Sequence, residues 1–181
     1  MMQAAGLDFQ QNFFNLFGLP VRHQLDNALL EQHYHTLQAQ VHPDKFSHLS
    51  EAERRVSMQW ATRVNEAYQT LRNPVSRARY LLSLHGIDTE EETNTAMPAD
   101  FLMQQMEWRE AIDEALQARD SGLLTTLEAR LQHEVRELEA RLEREIDDEK
   151  NYPAAAADVR KLKFLEKLTE EIASAFDTLD N

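Results

Sequence analysis

The 181-residue chain carries 32 acidic and 19 basic side chains, a formal net charge of −13, and no cysteine. The absence of thiols excludes disulfides, thiolate-held zinc, a cysteine nucleophile and the usual ligands of an iron–sulfur cluster. Four glycines and five prolines are too few for the frequent turns of an all-β fold. No apolar run approaches the roughly 20 residues of a membrane span and no signal-peptide pattern is visible, so we expect a cytoplasmic protein. We also expect no cofactor.

The charge is divided unevenly along the chain. Residues 1–87 carry 8 basic and 7 acidic side chains, whereas residues 88–181 carry 11 and 25. An acidic half of this kind repels nucleic acid and anionic membranes and attracts a basic protein surface. The change near residue 88 also predicts a domain boundary.

The apolar pattern of the first half predicts a helical hairpin. After an aromatic-rich turn at residues 13–17, a helix follows whose apolar residues recur every three or four positions. It has to end near Gln40, because Pro43 disfavours an α conformation at the residue before it. A second amphipathic helix begins after Ser50, about ten residues later, which predicts an antiparallel pair. Its predicted core stripe comprises Val56, Trp60, Val64, Ala67, Tyr68 and Leu71.

Further helices follow the hairpin. Asn73 and Pro74 supply an N-cap and a first-turn proline for a short helix that Gly86 ends. Residues 88–98 are acidic and threonine-rich without an apolar period, which indicates a linker. Beyond it, helical patterns run over about residues 99–119, from Ser121 as the N-cap, and from Pro153 to the end. Three helices with short connections predict a small bundle.

His42, Pro43 and Asp44, called here the HPD segment, lie at the tip of the predicted hairpin. As an isolated tripeptide the motif is a weak signal, since Pro and Asp also mark an ordinary helix stop. Its placement between two amphipathic helices is more specific. The second of these ends in RVNEAYQTL at residues 63–71, followed by RARY at 77–80. This arrangement resembles the J-domain of DnaJ-type co-chaperones over about residues 11–85.

The resemblance continues into the acidic half. LLSLHG at 81–86, FLM at 101–103 and DVRKLKFL at 158–165 look like the HscB family, the J-domain co-chaperones of bacterial iron–sulfur cluster assembly. Membership would imply a protein that is not itself an enzyme. The family's HPD segment contacts HscA, a DnaK-type ATPase, and promotes ATP hydrolysis by that partner. Proteins of that family hold the scaffold protein IscU through the C-terminal part, so the resemblance implies the same role for the acidic half of this chain.

We therefore predict an all-α protein with an N-terminal J-domain, formed by an antiparallel helical hairpin with flanking short helices, and a C-terminal three-helix bundle. The predicted division is an N-terminal extension at 1–10, the J-domain at 11–87, a linker at 88–98 and an acidic client-binding domain at 99–181.

The HPD chemistry suits docking onto another protein. Pro43 fixes its own backbone and restrains His42, so little conformational entropy is lost on binding. Asp44 can accept a charge-assisted bond from a partner arginine. One feature departs from the general J-domain pattern: no Lys or Arg occurs between Asp26 and Val41. Electrostatic docking through this helix should be weak, which favours a specialised chaperone partner.

A helical projection of residues 101–117 separates a core stripe from a second apolar face. At about 100° per residue, Trp108, Ile112 and Ala115 fall within about 40° of Phe101. Leu and Met residues fall on the far side, among glutamates, as in a protein-docking patch. The alternative is a more deeply buried helix in which Met fills gaps. By resemblance to the family, the scaffold-binding residues are Leu102, Met103, Met106, Glu107, Glu110, Glu114 and Phe164.

Two other functions remain open at this point. One is an enzyme, either a hydrolase that uses Asp44 with His42 or a metal site built from His33, His35, His42 and His48. His33 and His35 point about 200° apart on a helix, and no glycine-rich phosphate loop or HExxH motif occurs. The other is a general-folding J-protein that holds unfolded clients, which a small, charged apolar patch disfavours.

Overall fold

A computed structural model of the chain describes residues 8–42, 44, 48, 50–90 and 97–180. Within these ranges all regular structure is helical, which confirms the predicted all-α fold, and the chain forms two compact units, residues 1–81 and 82–181. The helices are α1 (Phe13–Leu16), α2 (Asn27–Val41), α3 (Glu51–Arg72), α4 (Pro74–Leu84), α5 (Ala99–Ala118), α6 (Ser121–Asp147) and α7 (Tyr152–Asp180). The predicted boundaries at residues 87 and 98 stay a prediction, because residues 91–96 lie outside the described part.

None of the described helices combines the length with the apolar character that a membrane crossing requires. Thr89, in the predicted linker, is buried, and its carbonyl accepts a hydrogen bond of 3.1 Å from Arg160 of α7. The beginning of the predicted linker is therefore anchored to the bundle within its own unit.

Helices α2 and α3 form the predicted antiparallel hairpin. Tyr34 of α2 stacks on Tyr68 of α3 with ring centroids 4.0 Å apart, whereas Val41, at the end of α2, lies beside Ser57 near the beginning of α3. Contacts that cross in this order require the two helices to run in opposite directions.

The predicted stripe of α3 is wrong at its first position. Val56 is exposed, and the buried residue of that turn is Ser57, which continues the stripe of Trp60 and Val64. The Ser57 hydroxyl donates a 2.7 Å hydrogen bond to the carbonyl of Val41, a group left without an intrahelical partner at the end of α2. A polar residue is favoured there because it satisfies a buried backbone acceptor.

The start of α3 and both ends of α4 carry local capping signals. Ser50 caps α3 in a capping box: its hydroxyl accepts from the Glu53 amide, and its own amide donates to the Glu53 carboxylate. The Ser50 hydroxyl also donates to that carboxylate, and these bonds lower the pKa of Glu53. The Asn73 side chain accepts hydrogen bonds from the second and third amides of α4. Gly86 follows α4 with φ +73°, a left-handed conformation that a side chain would strain.

Helices α5 and α7 of the second unit run parallel to each other. Phe101 of α5 contacts Phe164 of α7 edge to face at 6.2 Å, and two turns later Arg109 pairs with Glu171 at 3.3 Å. The contacts advance along both helices in the same direction. The side of α5 that carries Arg109 therefore faces α7.

Helix α6 runs antiparallel to α5 and packs against its other side. Gln104 of α5 bonds Glu134 at 3.2 Å, and Trp108, one turn later, lies under the guanidinium of Arg130, one turn earlier in α6. The N-cap of α6 is Asp120, whose side chain accepts from the third amide of the helix. The predicted cap, Ser121, is the first helical residue, because two capping types occur in succession and only the first reaches the free amides.

A charged cluster joins α6 to α7. Asp158 of α7 is buried and accepts a 2.7 Å hydrogen bond from Arg141 of α6, with Lys161 3.6 Å away. Glu145, one turn after Arg141, is also buried. Burial and the negative charge of Asp158 raise the pKa of Glu145 to about 7, although Arg141 opposes the shift. The Glu145 carboxyl thus keeps its proton to a higher pH than an ordinary glutamate.

We expect the stability of the protein to fall as the pH rises from 5 to 8, because a carboxyl whose pKa is raised on folding stabilises only while protonated. Glu145→Gln should abolish this part of the pH dependence and raise the free energy of unfolding at pH 8 by about 1 kcal/mol, allowing for solvent screening. Urea titrations at several pH values would measure it. The exposed Glu137, changed to Gln, is the control, and identical pH profiles for both variants would contradict the assignment.

Candidate functional site

His42 is the cap residue after α2, with extended backbone angles, as expected before a proline. Its side chain is 53% exposed and that of Asp44 is 90% exposed. Ring atom Nδ1 lies 3.3 Å from the Asp44 amide, which donates to it, and 3.5 Å from the Asp44 carboxylate. With Nδ1 as acceptor, the neutral ring carries its proton on Nε2. Pro43 lies outside the described residues.

The two polar side chains of the HPD segment are therefore presented to solvent, and the His42 ring is held by the backbone amide of Asp44. An inward-packed histidine and carboxylate, each held by other parts of the chain, would have left nothing for a partner to bind. The exposed arrangement leaves a carboxylate able to accept hydrogen bonds from a cation and an imidazole able to donate or stack.

The segment is supported from beneath by the contact between α2 and α3. Val41, directly before His42, is buried, and its carbonyl is held by the Ser57 hydroxyl. The backbone at the HPD segment thus begins from a fixed point, although the side chains beyond it are exposed.

The histidines of α2 have local partners. His33 Nδ1 lies 2.6 Å from the carbonyl of Phe17, and His35 lies 3.7 Å from Glu31 on the same helix. In the part of the chain that the structure describes, no three potential metal-binding side chains come together. The exposed surface of α2 carries no Lys or Arg. The weak electrostatic docking of this helix on a chaperone, expected from that composition, stays a prediction.

A second exposed surface lies on α5. Leu102, Met103 and Met106 are 43%, 63% and 62% exposed, so the alternative of a helix with buried methionines is wrong. The glutamates predicted beside them, Glu107, Glu110 and Glu114, are exposed as well. These six residues are called the α5 face below. An apolar cluster bordered by like charges is typical of a surface that another protein covers.

The remaining predicted scaffold-binding residue, Phe164, comes from α7 and packs against α5. It is partly buried and contacts Phe101, the residue before Leu102. The Lys167 ammonium lies 5.8 Å from its ring. The packing of α5 on α7 thus places an aromatic ring from a distant part of the sequence against Phe101, the residue before Leu102.

One buried residue of α5 escaped the sequence analysis. Gln105 is only 2% exposed, and neither its amide oxygen nor its amide nitrogen has a partner among the described protein groups. In projection it falls about 40° from Phe101, inside the core stripe, so its position indicated burial although its chemistry did not.

Comparison with known proteins identifies both units. The DnaJ domain family matches residues 12–80, which include α1, α2, α3 and the HPD segment. The first unit is thus a J-domain, and the chain is of the J-domain co-chaperone class. The family described as the HSCB C-terminal oligomerisation domain matches residues 97–173, across α5, α6 and most of α7.

Relatives that match over almost their whole length identify the family within the co-chaperone class. A protein of Aromatoleum aromaticum named "Co-chaperone protein HscB homolog" is 54% identical over 174 residues, covering 96% of this chain and 98% of the relative. One of Chromobacterium violaceum with the same name is 53% identical, covering 95% and 97%. The chain belongs to the HscB family of co-chaperones, as its sequence predicted.

Solved structures of HscB proteins have a similar fold. The chaperone HscB from Vibrio cholerae is 38% identical, with a TM-score of 0.83 over 93% of this chain and 99% of that one. Human co-chaperone HscB is 30% identical, with a TM-score of 0.86 over 93% and 83%. A J-domain co-chaperone acts on an Hsp70-type chaperone and is not itself an enzyme, so the hydrolase hypothesis is wrong.

Ser57→Ala should destabilise the protein by about 1 kcal/mol, because it leaves the buried Val41 carbonyl without a donor. The amide of His42 should also exchange its hydrogen faster, since the end of α2 loses its anchor. Urea titration and residue-resolved hydrogen exchange would measure the two effects. Ser174→Ala, on the exposed side of α7, is the control. Unchanged exchange at His42 would show that the hydroxyl does not support the HPD segment.

Proposed function

We propose that the chain delivers the scaffold protein IscU to an HscA/DnaK-type chaperone and stimulates the ATPase of that chaperone during iron–sulfur cluster assembly. The observation that carries the proposal is the presence, on one chain, of the exposed side chains of His42 and Asp44 and of an exposed apolar face on an acidic bundle. The shared name of the relatives, HscB, supports the choice of chaperone and scaffold.

In this proposal the HPD segment, His42, Pro43 and Asp44, binds the chaperone. The exposed Asp44 carboxylate accepts hydrogen bonds from a partner arginine, and His42 donates from Nε2 or stacks on a neighbouring group. Pro43 keeps the cost of ordering low. Binding favours the hydrolysis-competent state of the chaperone by differential affinity, and ATP chemistry takes place entirely on the partner.

The α5 face and Phe164 bind the scaffold in the same proposal. The apolar side chains supply contact area, and methionine adapts its shape to the partner surface. The glutamates orient a basic partner and increase its rate of association. The division of labour follows the predicted domains: 11–87 activates the chaperone, 88–98 links, and 99–181 holds the client.

His42→Gln should reduce stimulation of the chaperone ATPase at least tenfold, because the amide keeps some polarity but loses the ring and its Nε2 donor. Steady-state ATP turnover by HscA, with and without the variant, would measure it. Since His42 is exposed, the melting temperature should stay within about one degree of wild type.

The exposed His133 of α6, changed to Gln, is the matched control and should stimulate normally. Stimulation by His42→Gln within twofold of wild type would contradict the assignment of the HPD segment.

The double change Leu102→Ala and Phe164→Ala should weaken IscU binding at least tenfold, since truncating two central apolar contacts removes a substantial part of the binding free energy. Stimulation of HscA in the absence of IscU should be unaffected. Calorimetric titration of the folded variant would give the affinity, with circular dichroism to verify folding.

Leu123→Ala is the control for lost apolar surface, because Leu123 is also exposed but lies at the start of α6. Equal affinities for wild type and the double variant would remove the α5 face from the proposal. Comparable binding of many unrelated unfolded chains would instead favour a general-folding J-protein.

A further inference from the structure

The side chains of α5 fall in a definite order between its two neighbours. Trp108 faces α6 and Arg109 faces α7, as their contacts with Arg130 and Glu171 show. Leu102 lies about 20° from Arg109 in projection and is therefore on the α7 side of the exposed surface. Met106 lies about 40° further round, and the row of Met103 with the glutamates lies beyond it.

The edge contributed by α7 carries two lysines, Lys163 and Lys167, among the glutamates at 166, 170 and 171. Lys167 is exposed and makes no ion pair with any described residue, and its ammonium lies above the Phe164 ring. Lys163, one turn earlier, is half exposed and lies 3.9 Å from Glu166. Arg109, also near this edge, is already paired with Glu171, so Lys167 is the cation that can take a new partner.

From one side to the other, the surface therefore presents a cation with an aromatic ring, then an apolar strip, then three carboxylates. An apolar strip alone would accept a partner in two orientations related by half a turn. Opposite charges at its two edges distinguish them, because the reversed orientation would bring like charges together.

We propose that the docking surface is polarised in this way, and that the occupant is a protein with an acidic side chain opposite Lys167 and basic side chains opposite the glutamates of α5. The proposal rests on the proposed function for the identity of that protein, IscU. It adds Lys167 to the contact residues and assigns it the role of fixing the orientation of the docked partner.

Because the second half has a net negative charge, long-range attraction and a local pair at Lys167 predict opposite changes in affinity for a lysine-to-glutamate substitution. Residues 88–181 carry 25 acidic against 11 basic side chains, so a basic partner is attracted from a distance wherever the charge lies. Long-range attraction alone predicts that replacing a lysine by glutamate strengthens binding. A local pair between Lys167 and a partner carboxylate predicts the opposite.

The experiment compares two charge reversals in the full chain, Lys167→Glu and Lys150→Glu, titrated with purified IscU at low and high salt. Both change the net charge equally, and Lys150 is exposed in the connection between α6 and α7. Lys167→Glu should weaken binding about fivefold at low salt and less at high salt, whereas Lys150→Glu should bind as wild type or slightly more tightly. The milder Lys167→Gln should weaken binding about twofold, and it replaces Lys167→Glu in the experiment if that charge reversal affects folding.

Wild-type or tighter binding by both Lys167 variants would overturn the polarised surface. If Leu102→Ala with Phe164→Ala still weakens binding, the proposed function survives that result, so the two failures are distinguishable. Absence of IscU binding by the wild-type chain would overturn both. An acidic residue of IscU whose change to lysine restores binding of Lys167→Glu would identify the partner of Lys167.

Discussion

A helix in a small bundle can bury little more than one stripe of its surface, and this limit determines which side chains of this protein stay in contact with water. In α5 the stripe of Trp108, Ile112 and Ala115 is used for packing on α6 and α7. Leu102, Met103 and Met106 lie outside the stripe and remain exposed. The apolar surface available to a partner is thus what the internal packing of the three helices leaves uncovered.

The J-domain meets a different constraint at its tip, where an exposed segment has to keep a defined backbone. The buried hydrogen bond from Ser57 to Val41 holds the end of α2, and the proline that follows restricts His42 to an extended backbone. Fixed backbone and exposed side chains therefore occur next to each other, which is the arrangement that lowers the entropic cost of binding.

Much of the architecture could be predicted because it depends on local chemistry: the start of α3 after Ser50, the cap Asn73, the glycine after α4 and the helical periodicity. Two of the errors, at Ser57 and Gln105, have a common cause. Ser57 and Gln105 are buried polar residues, and a search for apolar periodicity passes over both. The contact of Phe164 with α5 depends on how α5 and α7 are aligned, which neither helix encodes alone; only the family resemblance pointed to it.

Gln105 has a wider consequence for α5. A polar amide lies inside the bundle while Leu102 and Met106, within one turn of it, lie outside, so the amphipathic order of the helix is locally inverted. Folding by itself leaves this turn with apolar atoms in water. Any protein that covers those atoms contributes burial that the isolated bundle lacks, and the complex would become the state in which the turn is fully solvent-shielded.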